Sequence, residues 1–183
     1  MEKIGTKRAR GLIKRISITG PESTGKSVLA GQLAAYFHEP YVPEYARSYL
    51  QNKGASYTLA DVENIARGQL ESEEQKAREA NRLLFCDTDP LVIKIWCSVR
   101  FGKVPPRIEE QFINHRYDLY LLCYPDIPWE ADPLRENPHD RDQLFRLYEK
   151  ELKQAGFNYR IVSGLGAQRL EKAVTFVQQI AKF

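Results

Sequence analysis

Gly20, Gly25, Lys26 and Ser27 stand at the fixed places of the pattern G-x-x-x-x-G-K-[ST], over the stretch Gly20-Pro21-Glu22-Ser23-Thr24-Gly25-Lys26-Ser27. This spacing suits a loop that cradles phosphate. Its two glycines admit backbone angles closed to other residues. The successive N–H groups through Val28 can then converge on phosphate oxygens at the positive end of a following helix. Lys26 is the residue type that reaches β- and γ-phosphates, and the Ser27 hydroxyl is suited to ligate Mg2+.

Further polar residues supply what phosphoryl transfer needs beyond the cradle. Asp87 closes the apolar run Leu83-Leu84-Phe85-Cys86-Asp87, the shape of a Walker B strand, and with Ser27 makes an expected Mg2+ site. Glu44 and Asp89 each follow an expected strand, and each is suited to accept a hydroxyl proton or grip a sugar hydroxyl. Asp89 reads equally well as the cap of a helix opening at Pro90, and Glu44 as an exposed loop carboxylate. Arg47 is placed either to hold Glu44 or to reach a phosphate. Arg135 and Arg141 flank the proline-rich stretch 125–137, as expected of a lid over about 126–142 that closes on ATP and excludes water. Trp129 within it either stacks on an aromatic ring or anchors the loop. Glu44, Asp89, Asp126 and Asp132 together predict an acidic acceptor pocket, with Trp129 and Tyr45 nearby in sequence.

The elements that must position these groups follow from pattern. Ile16–Thr19 is short and β-branched, as a buried parallel strand requires, and residues 28–37 have apolar spacing of helical period. Tyr41–Arg47 reads as a short strand and its exit, with Pro43 disfavouring a central place in a sheet. A long helix starts at Thr58, where Thr58-Leu59-Ala60-Asp61 forms a capping-box-like start. Its inner stripe is Leu59, Val62, Ile65, Ala66 and Leu70, and Glu71 to Glu79 reads as a solvated continuation. A helix from Pro90 to about Arg100, packed through Trp96, precedes a second near Pro106. Leu119–Tyr124 and Tyr159–Ser163 are strands, Pro138 opens a helix between them, and Gly164-Leu165-Gly166 leads into a terminal helix. Strands alternating with helices imply a five-stranded parallel sheet covered on both faces, with the site at the carboxyl ends of the strands.

The 183 residues suit one domain, with 43% hydrophobic and 28% charged residues, ordinary values for a globular protein. No apolar run approaches the ~20 residues of a membrane helix, and Met1 to Arg10 lacks the apolar core of a secretory signal. Both observations point to the cytoplasm and away from a membrane. Cys86, Cys97 and Cys123 are too widely spaced for a zinc knuckle and read as buried reduced thiols. The net charge of +3 gathers at Lys3, Lys7, Arg8, Arg10, Lys14 and Arg15. Residues 1–15 therefore read as a basic solvated arm ahead of a domain over 16–183, and without interleaved aromatics a nucleic-acid role is disfavoured. The oligomeric state is not encoded in any pattern we recognise.

Gly20 to Ser27, Val42-Pro43-Glu44-Tyr45-Ala46-Arg47, Phe85 to Asp89 with Trp96, Tyr117 to Leu122, and Pro125 to Trp129 through Asp132-Pro133-Leu134-Arg135 stand in this order along the chain. In that order they resemble the ribosylnicotinamide kinase domain of the NadR family, over roughly residues 13 to 180. The resemblance implies a nucleoside/nucleotide-kinase-like P-loop fold. It also implies transfer of the ATP γ-phosphate to the 5′-hydroxyl of nicotinamide riboside, giving nicotinamide mononucleotide. The longer members of that family carry an adenylyltransferase domain, and some a helix-turn-helix, ahead of the kinase; neither activity is expected of these residues. The rival readings are a kinase for another nucleoside or small alcohol, and a regulatory module that binds ATP and a pyridine nucleotide without turnover.

Overall fold

The computed structural model describes residues 13–53, 56–132, 135 and 139–181. In chain order the elements are β1 (Lys14–Thr19), α1 (Lys26–Phe37), β2 (Tyr41–Val42), α2 (Tyr45–Lys53), α3 (Leu59–Ala77), β3 (Leu83–Asp87), α4 (Pro90–Phe101), α5 (Pro106–Asn114), β4 (Leu119–Cys123), α6 (Arg141–Ala155), β5 (Tyr159–Val162) and α7 (Gly166–Ala181). The five strands form one sheet in the order β2-β3-β1-β4-β5, parallel at every pairing. Chain connections leave β1 toward opposite edges, so its carboxyl end is the place where an open α/β sheet holds a ligand.

Side-chain alternation sorts the core into two faces. Ile16, Ile18, Leu83, Phe85, Leu119 and Leu121 pack under α1 and α7. Leu84, Cys86, Tyr120 and Leu122 pack under α4, α5 and α6. A third cluster joins α2, α3, α4 and α5 through Leu50, Val62, Ile65, Ile93 and Ile108. Trp96 belongs to this packing, its Nε1–H donating to the Tyr57 hydroxyl at 2.9 Å. The three cysteines are buried free thiols. None of the described helices is long and apolar enough to cross a membrane.

Several local expectations reappear as geometry. The Thr58 hydroxyl and the Asp61 carboxylate complete a reciprocal capping box at the start of α3. Asp89 caps α4, accepting the Val92 N–H at 2.9 Å. β2, cut short ahead of Pro43, is an edge strand.

Other expectations are corrected. β1 begins at Lys14, so Lys14 and Arg15 belong to the sheet and not to an arm; Lys3, Lys7, Arg8 and Arg10 lie outside the described residues. The exit after β2 is helical, forming α2. α6 begins at Arg141, and Pro138, expected to open it, lies outside the described residues along with Pro133 and Leu134. Glu73, expected on a solvated face, is fully buried. Its Oε1 accepts the Tyr117 hydroxyl at 2.7 Å, its Oε2 lies 2.8 Å from His115 Nε2, and Arg15 Nη1 is 3.6 Å away. The Arg15 N–H donates to Asp118 Oδ2 at 2.8 Å. One carboxylate thereby ties α3 to the start of β1 and to the segment leading into β4, at the end of the sheet opposite the phosphate loop.

Removing that carboxylate strands the buried Tyr117 hydroxyl and takes one partner from the half-buried Arg15 guanidinium. Glu73→Ala is expected to cost about 3 kcal/mol or more, read by urea unfolding. Its neighbour Glu74, exposed and paired to the same Arg15 at 2.7 Å, should cost under about 1 kcal/mol as Glu74→Ala. Equal losses would show that the buried network does not anchor α3.

Candidate active site

The loop leaving β1 is held by backbone fit. Gly20 has φ +128°, and a Cβ there would lie 2.9 Å from the Cys123 carbonyl oxygen. Only glycine permits the loop to turn that close to β4. Gly25, at φ +74°, occupies the residue before α1. Thr24 Oγ1 donates to the Pro21 carbonyl at 2.8 Å, and Lys26 Nζ donates to the same carbonyl at 2.7 Å. The lysine is thus folded over the loop's concavity. Ser27 is exposed in the first turn of α1, with Val28 beside it.

Arg169 of α7 pins this loop from below. Nearly buried, its guanidinium donates to the carbonyls of Thr24 at 2.6 Å, Tyr124 at 3.2 Å and Gly164 at 3.1 Å, and to Asp126 Oδ1 at 2.8 Å. The segments following β1, β4 and β5 therefore converge on one side chain. Sequence reading missed it. Its signal was positional, since Arg169 shares a helical face with the buried Ala173 and Val177.

The lid segment lies over the same loop. The Glu130 N–H donates to Ser23 Oγ at 3.0 Å, Arg135 Nη1 to Ser23 Oγ at 3.3 Å, and Arg141 Nη1 to the Ser23 carbonyl at 3.0 Å. Both arginines also lie over the Trp129 ring, at 6.0 and 5.8 Å from its centroid. Trp129 thus packs between the two cations, anchoring the loop. Glu22 is half-buried at the loop's edge.

On the acceptor side, Asp87 is buried beside Glu44, Lys26, Ser27 and Arg47. Burial, with a contribution from the Glu44 charge, raises its carboxyl to about 6 against the opposing effects of a Ser27 hydrogen bond and the Lys26 and Arg47 charges. Asp87 Oδ1 has no hydrogen-bond partner among the described residues. A buried, unpartnered carboxylate oxygen next to an exposed hydroxyl fits a hard divalent cation that takes its remaining ligands from phosphates and water.

The four acids expected in an acceptor pocket separate. Asp89 is fully buried, one oxygen bonded to the Ser17 hydroxyl and the other to the Val92 N–H; burial raises its carboxyl. Its oxygens thus serve the helix cap and the strand. Asp126 belongs to Arg169, and Asp132 pairs with Arg47 at 3.0 Å, which joins the lid to α2. Among the described residues Glu44, half-buried, makes no ion pair, and its charge acts on Asp87.

The Asp87 value has a stability consequence. A carboxyl titrating at about 6 when folded and near 4 when unfolded favours the folded state fully below the lower value, and that advantage is lost as pH rises through 6. In metal-free protein Asp87→Asn is therefore expected to gain about 2 to 3 kcal/mol over the parent at pH 8, and none at pH 4. Paired thermal melts at the two pH values measure this; equal melting at pH 8 would refute the assignment.

Comparison with known proteins bears on the family and the fold. The AAA domain family profile matches residues 15–169. The trifunctional NAD biosynthesis/regulator protein NadR of Salmonella typhimurium is 29% identical over 164 residues, 86% of this chain. The chain spans about 40% of that relative's length. A solved structure of NadR protein in complex with NAD and AMP-PNP superposes with a TM-score of 0.79 at 22% identity, over 93% of this chain and 50% of that one. Another, in complex with NR, gives 0.79 at 20% identity over 95% and 53%. From the glycine-lysine loop after β1 to the arginine of α7 that pins it, the matched span holds the whole phosphate-binding architecture, and the chain belongs to the AAA domain family.

Proposed function

We propose that this protein transfers the γ-phosphoryl group of ATP to the 5′-hydroxyl of nicotinamide riboside, giving nicotinamide mononucleotide and ADP in the cytoplasm. The observation that carries the reading is the convergence of Lys26, Ser27, Asp87 and Glu44 at one end of the sheet, in a chain similar to NadR. A NadR structure in complex with NR supports the choice of acceptor.

In this reading the N–H groups of Gly20 through Val28, including Pro21's neighbours Glu22, Ser23 and Thr24, cradle the phosphates. Lys26 exchanges the Pro21 carbonyl for the β- and γ-oxygens. Ser27 and Asp87 would hold Mg2+, which supplies neutralisation of charge across the β- and γ-phosphates. Glu44 accepts the proton of the attacking 5′-hydroxyl, the new O–P bond forms as the bond to ADP breaks, and ADP carries away the electron pair. Arg135 and Arg141, already drawn over the loop by Ser23, follow the charge on the phosphoryl group in flight. Of the two candidate acids, Glu44 takes the acceptor role because Asp89 is spent on its cap. Arg47 braces α2 against the lid, and Trp129 seats the two arginines. Nicotinamide riboside is cationic, and a segment whose glutamate makes no ion pair among the described residues suits it better than an acceptor bearing its own phosphate.

Two measurements test this. The kcat/KM for nicotinamide riboside at saturating Mg-ATP is expected to exceed those for uridine and cytidine by tenfold or more, with nucleoside monophosphates poorer still; parity with any of them would overturn the substrate assignment. Lys26→Ala should lower kcat by about 100-fold or more with an unchanged melting temperature, and undiminished turnover would remove the phosphate loop from the mechanism.

A further inference from the structure

β2 ends at Val42, whose partner is Cys86, because Pro43 cannot donate to a ladder. On that side β3 therefore loses its neighbour at Asp87. Gln69 of α3, 2% exposed, fills the gap. Its Nε2 donates to the Asp87 carbonyl at 3.4 Å, and its Oε1 accepts the Tyr45 N–H at 2.9 Å, a donor that the first turn of α2 would leave orphaned. A carboxamide offers the same donor and acceptor as a peptide unit, so Gln69 stands in for one missing rung between the Glu44 segment and Asp87. The preceding residue completes the grip. Gly68 has no Cβ, and one placed there would lie 2.3 Å from the Tyr45 ring. Two consecutive residues of α3 thus hold Tyr45, one by its backbone and the other by its ring, immediately beside Glu44.

We propose that Gln69 is a positioning residue for phosphoryl transfer, a carboxamide spacer that fixes Glu44 against Asp87 and so sets the acceptor hydroxyl against the phosphate. The inference rests on the roles given above to those two acids. It does not depend on which hydroxyl compound is the acceptor.

The test uses Gln69→Met, which keeps side-chain volume without either hydrogen bond, and Gln69→Glu, which keeps an acceptor for Tyr45 but turns an oxygen toward the Asp87 carbonyl. Both are expected to lower kcat about 10- to 100-fold while the KM for ATP stays within twofold. The Tyr45 amide of Gln69→Met should exchange its hydrogen at least tenfold faster, with α1 unchanged. Should Gln69→Met not fold, Gln69→Glu carries the kinetic arm. A kcat within twofold of the parent in the folded variants overturns the proposal, as does a KM for ATP that rises in step with the fall in kcat, or unaltered Tyr45 exchange. If nicotinamide riboside is no substrate, the substrate assignment fails alone: the kinetic arm then uses the nucleoside that is phosphorylated, and the exchange arm needs no acceptor.

Discussion

Burying a guanidinium is costly unless its donors are met, and Arg169 meets this demand at its two terminal nitrogens by collecting carbonyls, with Nε alone left unpartnered among the described residues. Its partners come from the segments that follow β1, β4 and β5. Each of those segments leaves a strand carrying peptide oxygens with no partner in the sheet. One planar cation satisfies three of them together with the Asp126 carboxylate, so the phosphate loop is braced by its neighbours and need not be braced by its own sequence. The lid follows from the same anchor, since Asp126 opens the segment that returns over Ser23.

A second constraint acts at the other end of the sheet. Glu73 fixes α3 to β1 and to the segment leading into β4, and from that fixed helix Gly68 and Gln69 reach forward to α2 and β3. α3 thus works as a strut whose rear is anchored by charge and whose front bears on Tyr45, the residue after Glu44. The Arg47–Asp132 pair closes the loop of contacts from α2 to the lid. The loop after β1 and the Glu44 segment are in this way mechanically continuous.

What the sequence revealed, and what it hid, divides along the range of the interactions. The glycine-rich turn after β1, the β3 strand ending in Asp87, the Asp89 cap and the capping box at Thr58 each depend on residues within a few positions of one another, and each was legible. Glu73, Gln69 and Arg169 were not, because their burial depends on partners 18 to 145 positions away. A polar residue on a helix looks solvated until its partner is known. A trace of them existed: Val62, Ala66, Gln69 and Glu73 continue one buried stripe at helical spacing, and reading that stripe by position and not by polarity would have put both side chains inside. The acidic pocket was overread for the converse reason, since Asp126 and Asp132 were counted as free when each has a cation of its own.

The placement of the two tryptophans makes the protein its own optical instrument. Trp96 is fixed by its bond to Tyr57 within the α2–α5 cluster. Trp129 lies between Arg135 and Arg141, where positive charge near the indole shifts its emission. Any displacement of that segment would change the surroundings of one fluorophore more than those of the other, so it could be followed without any added label.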